Sequence, residues 1–216
     1  MRREIRVRAL GRALAVTVAA GLTLTACGAA VTEPQQVREA DVPRPVKSPE
    51  PVAAAAKGSL GGPGTACALP VSFGLAAAWK PEAVEVGDDE LSAALGRQGP
   101  ATMVCEIDAK PAGNIGFLRV WSAGKGKPRT VLEGFVRAEE NASGAAYKET
   151  RAGELAAVEV TYTVRGELMD ESKEERAFAV STPKGTVIVH LGGMDTEEHR
   201  EMLPAYELAR TSLKAL

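Results

Sequence analysis

The spacing of apolar residues divides the chain into a patterned C-terminal part and an unpatterned approach to it. In Val71-Ser72-Phe73-Gly74-Leu75 apolar side chains recur at every second position, the period of a half-buried strand. A second strand is expected at 83–86, after the turn-like Trp79-Lys80-Pro81. In 101–108, Ala101, Met103, Cys105 and Ile107 share one face, so Cys105 is expected to point inward. The run 115–122 follows across Lys110-Pro111-Ala112-Gly113-Asn114 as its hairpin partner. It is apolar on both faces, Phe117 and Trp121 on one and Leu118 and Val120 on the other, which suits a central strand covered on both sides.

The period then changes. Val131, Leu132, Phe135 and Val136 form the stripe of a helix over 128–139, with Pro128 in the first turn. Strands are expected at 147–151 and 155–165, where Val158, Val160, Tyr162 and Val164 share a face. Strands 176–182 and 186–192 flank the turn Pro183-Lys184-Gly185. A last helix opens at Asp195 or Thr196 and repeats Met202, Tyr206, Ala209, Leu213 and Leu216, with Pro204 expected to kink or divide it. The sum is an α+β sandwich: an antiparallel sheet of six or seven strands flanked by two principal helices.

Upstream the chain reads differently. Residues 1–12 hold five arginines against Glu4, and 13–24 are uncharged and mostly apolar. These are the n-region and h-region of a signal peptide, too short for the roughly 20 residues that span a bilayer. The run closes in Leu24-Thr25-Ala26-Cys27-Gly28, which resembles a bacterial lipoprotein signal with its lipobox. That resemblance implies diacylglyceryl transfer to the Cys27 thiol, cleavage after Ala26 and, commonly, N-acylation. A twin-arginine signal is the competing reading of Arg2-Arg3, but Glu4-Ile5-Arg6 lacks the apolar follow-on. Residues 28–64 carry six of the 13 prolines and no aromatic residue, the composition of a tether. The expected organisation is a signal peptide at 1–26, a lipidated cysteine and tether at 27–64, and one α+β domain at 65–216.

Charge narrows the partners. Without 1–26 the chain has 21 basic and 27 acidic residues, a net −6, which argues against nucleic acid. With Cys27 acylated, Cys67 and Cys105 remain, an even pair that an exported protein is expected to close as a disulfide. The alternative, a reactive thiol, has no Cys-x-x-Cys pair and no histidine nearby in sequence to support it.

The order of elements resembles the PsbP-like fold and the LpqN-type lipoproteins of actinobacteria. The residues behind this are Pro70-Val71-Ser72-Phe73 with Trp79, the hairpin strands 176–182 and 185–193, and the closing stretch with Leu203-Pro204-Ala205-Tyr206. The resemblance implies a non-catalytic binding or assembly role outside the cytoplasm, and brings no catalytic residues with it.

Candidate chemistry is sparse. His190 and His199 are the only histidines, and with Asp195, Glu197 and Glu198 they cluster in sequence. No zinc spacing appears, so the cluster reads as the solvated acidic start of a helix and no metal is expected. Gly87-Asp88-Asp89-Glu90 lacks the alternation of a calcium loop and reads as a solvated turn. No Gly-x-Ser-x-Gly elbow and no phosphate-binding loop occur, so no catalytic residue and no cofactor are assigned. If a ligand groove exists, Trp79, Phe117 and Trp121 are the first residues to examine. The expected function is a non-catalytic binding or assembly module, lipid-anchored on the extracytoplasmic face of the cell membrane, taking a protein partner or an apolar ligand. An exported hydrolase with a carboxylate-based site and an envelope spacer are the alternatives.

Overall fold

The computed structural model describes residues 51–166 and 171–216. The expected signal peptide, Cys27 and the first part of the expected tether lie outside the described residues. Among those described, the elements in order are β1 (Ala56–Leu60), β2 (Val71–Ala76), β3 (Lys80–Ala83), α1 (Glu90–Gly96), β4 (Arg97–Gln98) and β5 (Ala101–Asp108). After a 3-10 turn at Lys110–Ala112 come β6 (Gly116–Ala123), α2 (Pro128–Arg137), β7 (Ala142–Ala152) and β8 (Leu155–Arg165). The chain ends with β9 (Ser172–Thr182), β10 (Gly185–Gly193), α3 (Thr196–Thr211) and β11 (Lys214–Ala215).

The main sheet is antiparallel, in the order β3-β5-β6-β10-β9-β8-β7, with β4 pairing β5 as an eighth strand. A small sheet, β1-β2-β11, is separate from it. Two cores result. On one face of the main sheet, Val131, Leu132, Phe135 and Val136 of α2 pack on Trp121, Val158, Val160, Tyr162 and Ile188. On the other, Met202, Tyr206 and Ala209 of α3 and Val71 and Phe73 of β2 pack on Leu118, Val120, Phe178 and Val189. Strand β6 therefore does have both faces covered, as its apolar pattern requires.

The strand β5 departs from a single inward face. Met103 pairs Trp121 and Cys105 pairs Val120, so Val104 is an extra residue and the strand is bulged there. The bulge flips the phase: Ala101 and Met103 enter the α2 core, whereas Cys105 and Ile107 enter the α3 core. Cys105 is buried and bonded to Cys67, with 5.9 Å between the Cα atoms. The disulfide joins the loop before β2 to the main sheet.

Other boundaries also move. The third strand occupies Lys80–Ala83 rather than 83–86, because Pro81 is tolerated on the edge of the sheet. The folded part starts before residue 65: β1 lies within the expected tether, and Leu60 is a core residue. Ala54 also donates from its backbone to the Pro204 carbonyl at 2.8 Å. α3 runs from Thr196 to Thr211 as one helix through Pro204 instead of dividing, since its buried stripe holds it to the sheet on both sides of the proline.

Candidate functional site

Sequence order gathers the two histidines with Asp195, Glu197 and Glu198, but the fold separates their roles. Asp195 caps α3, accepting from the Glu198 amide at 2.9 Å. Glu198 accepts from the Ile115 amide at 2.9 Å, and Glu201 accepts from Asn114 Nδ2 at 2.9 Å. These acids fasten the turn between β5 and β6 to the start of α3. Among the described residues no group of three or more potential ligands is placed to hold a metal ion. The Gly87-Asp88-Asp89-Glu90 turn is likewise a helix start: Asp89 caps α1 and accepts from the Ser92 amide, which lowers its pKa.

His190 sits on the α2 side in a buried polar network. Its Nε2 lies 2.7 Å from Glu175 Oε2, and the Tyr162 hydroxyl donates to the same oxygen at 3.1 Å. Lys173 Nζ approaches Glu175 Oε1 at 2.8 Å and donates to the Gly193 carbonyl at 3.2 Å. Tyr162 and Glu175 are directly opposed on β8 and β9, and the Phe135 ring stands edge-on over His190 at 5.6 Å. Burial acts to raise the Glu175 pKa, but His190 and Lys173 outweigh it and hold the carboxyl at about 2. Burial and Glu175 together drive the Tyr162 pKa well above its usual value. The acid and the tyrosine are thus satisfied inside the fold, whereas His190 Nδ1 is buried with no hydrogen-bond partner among the described residues.

A second network lies on the α3 side. The Tyr206 hydroxyl donates to Glu159 Oε1 at 2.9 Å, and Lys148 Nζ sits 2.7 Å from Glu159 Oε2. Arg210 pairs with Glu207 at 2.5 Å and donates to the Arg151 carbonyl at 2.8 Å. Arg176 lies between the two carboxylates, 3.9 Å from Glu159 and 3.7 Å from Glu207.

The expected aromatic groove does not form as one site. Trp79 belongs to the α3 core and Trp121 to the α2 core. Phe117 is half-buried under the Arg119 guanidinium, 4.7 Å from its ring centroid. Only Trp121 borders a cleft, of about 440 Å³, walled by Leu95 of α1, Arg97 and Gln98 of β4, and Glu139 and Asn141 after α2. The indole Nε1 is buried without a partner. Gln98 Nε2 donates to the Phe135 carbonyl at 3.2 Å, tying β4 to α2. Gly99 allows this approach: its φ is +55°, and a Cβ there would stand 2.5 Å from the Gly134 carbonyl oxygen. Burial and the nearby Glu175 raise the Glu139 pKa. Leu95 lines the cleft, and Leu91 stands one turn before it on α1; each is 69% exposed.

The sequence alone points to no role for Glu159 and Glu207, single charges between apolar residues, or for Glu175 and Arg176, which lie in the charged run Lys173-Glu174-Glu175-Arg176; both patterns look solvent-facing. The signal that could have found them was the pair of helical stripes, at 131–136 and 202–213. Two helices on one sheet cover both faces, and every charge between them must then find a partner.

Residues 38–213 match the family model described as an uncharacterised lipoprotein, and the chain belongs to that family. Membership carries with it association with a membrane, although no described helix is long and apolar enough to cross one. No curated protein matches the chain.

Proposed function

We propose that the protein is a non-catalytic binding module, held by lipid on Cys27 at the extracytoplasmic face of the cell membrane, with its docking site at the Trp121 cleft. The observation that carries this reading is Leu95, which lines that cleft and is held out toward solvent by α1, with Leu91 equally exposed one turn before it. Exposed large apolar groups beside a concave surface mark contact sites. Asp88, Asp89 and Glu90 begin α1, and Glu139 and Glu140 follow α2 across the cleft. Arg97 and Arg165 also line the cleft, Arg97 paired with Asp88, and the excess of acids around them suits a partner segment with apolar anchors set among basic residues. The resemblance to LpqN-type lipoproteins points the same way. The absence of catalysis is supported by the way Glu175 and His190, the groups best suited to acid–base work, are spent on each other and on Lys173.

The test uses the acylated protein in its native membrane, crosslinked as wild type and as Leu91→Ser with Leu95→Ser. Adducts that are lost in the variant, and competed by an amphipathic Leu/Lys peptide but not by a Leu/Glu one, are expected. Adducts unchanged in the variant would place the docking surface elsewhere. Cys27→Ala is expected to abolish acylation and leave unprocessed precursor; normal processing would remove the anchor from the reading.

A further inference from the structure

The α3 side of the sheet opens a second, separate crevice of about 260 Å³. It is walled by Thr161 to Thr163 of β8, Glu174 to Arg176 of β9, Gly144 of β7 and His199 in the first turns of α3; Tyr162 and Glu175 among these also belong to the His190 network, where Lys173 and His190 pair the Glu175 carboxylate. Thr161 and Arg176 are directly opposed across β8 and β9, as are Thr163 and Glu174. The β7–β8 register shifts between Ser143 and Ala146, beside Gly144.

Two things about this crevice are out of balance. The first is charge. Lys148 closes on Glu159 and Arg210 on Glu207, and Glu174 is paired outward with Arg200 at 3.0 Å. Arg176 is then a third cation beside two carboxylates, each closely paired through one oxygen, and Glu207 Oε1, 3.7 Å from it, has no hydrogen bond among the described residues. The second is hydrogen bonding. Both carboxylates stand beyond hydrogen-bond reach of Arg176, and its Nε is buried with no hydrogen-bond partner among the described residues. The side chain is only 19% exposed, and the guanidinium also lies 5.9 Å from the Tyr206 ring centroid. Arginine's planar fork of donors matches an oxyanion in two bonds at once, and unsatisfied buried donors are costly. His199 is 2% exposed, and its Nδ1 also has no hydrogen-bond partner among the described residues.

We propose that this crevice binds a small oxyanion, a carboxylate or a phosphate group, held by the Arg176 guanidinium with His199 and the Thr161 and Thr163 hydroxyls completing the cradle. The anion supplies the charge that Arg176 lacks and the acceptors that its donors require. The crevice is too small for more than the anionic end of a larger molecule, so such a ligand would leave its remainder at the mouth. This site is independent of the Trp121 cleft, since it lies on the opposite face of the sheet.

The test titrates the mature protein with inorganic phosphate and, in a second arm, acetate, each against chloride at equal ionic strength, following the imidazole resonances of His199 and His190. Saturable shifts of His199 with phosphate or acetate but not chloride are expected, and the stronger of the two arms identifies the anion class. Burial, with Arg176 beside it, depresses the His199 pKa to about 4, and an anion at Arg176 raises that midpoint. Thr163→Val keeps the core volume and should weaken binding several-fold; Arg176→Gln should weaken it at least tenfold if it folds. Equal responses to all three salts, or binding unaltered in Thr163→Val and in a folded Arg176→Gln, would overturn the site.

Discussion

Cys67 and Cys105 meet just beyond the point where Val104 bulges out of register, so the disulfide depends on the phase change that the bulge makes. Without the extra residue Cys105 would face α2, and Cys67 lies in the other core. The bond separates positions 38 apart in sequence, for which chain-entropy arguments give roughly 4 kcal/mol, less any strain. Cys67→Ser with Cys105→Ser is expected to lower the denaturant midpoint accordingly. A loss under about 1 kcal/mol would mean that the β5 packing alone holds the loop.

Phe135 has no exposed surface and joins the α2 core to the polar network, standing 5.2 Å from Trp121 and 5.6 Å from His190 between ring centroids. Phe135→Ala is expected to cost about 3–5 kcal/mol, by lost burial and by the cavity left behind. Equilibrium unfolding measures the loss, and a red shift of Trp121 emission should accompany it.

Glu175 gives a first acid-sensitive contribution. Its folded-state pKa, about 2, lies below the usual 4.5, so its stabilisation is complete above pH 4.5 and is lost as pH falls toward 2. The amount is on the order of 3 kcal/mol. Glu175→Gln should be less stable than wild type at neutral pH, and the gap should narrow through that window. A gap that stays constant from pH 4.5 to 2 would contradict the pairing with His190 and Lys173.

His199 contributes over an adjoining window. Burial lowers its pKa from 6.5 to about 4. Between those values the unfolded chain takes up a proton that the folded one refuses, so stability falls as pH drops from 6.5 to 4. His199→Gln, which cannot titrate, should flatten the stability profile there while leaving the part below pH 4 in place. An unchanged slope between pH 6.5 and 4 would show that the imidazole is not buried as described.

The strand periodicity and the helical stripes were enough to read the antiparallel sheet and its two covering helices. β5, β8 and the β9–β10 hairpin appear where alternation places them, because side chains on those strands meet a helix. The bulge at Val104 was illegible, since Ala101, Met103, Cys105 and Ile107 are all buried whichever core receives them. α1 was hidden because Leu91 and Leu95 face solvent, leaving no amphipathic stripe against a core. Trp79 and Trp121 looked like one groove because sequence cannot say which side of a sheet each ring takes. The two salt-bridge networks are hidden for related reasons: Glu159 stands between Val158 and Val160 with its partners on other elements, and Glu175 lies in the charged run Lys173-Glu174-Glu175-Arg176, which reads as solvent-facing.

The small sheet ties together residues from opposite ends of the folded chain, because β2 pairs β1 on one side and β11 on the other. In the export that the proposed function requires, the chain emerges N-terminus first, and β1 and β2 are the first of its described strands to arrive. They must wait for Lys214 and Ala215, the last strand to arrive, before the three-stranded assembly can close. Until then the apolar face of β2 has no α3 to cover it, whereas the Cys67–Cys105 bond needs only the first half of the domain. Oxidation can therefore precede closure, holding the early segment against the sheet while the rest of the chain is still crossing. Loss of 212–216 should then leave a species that is oxidised yet open to protease along β2.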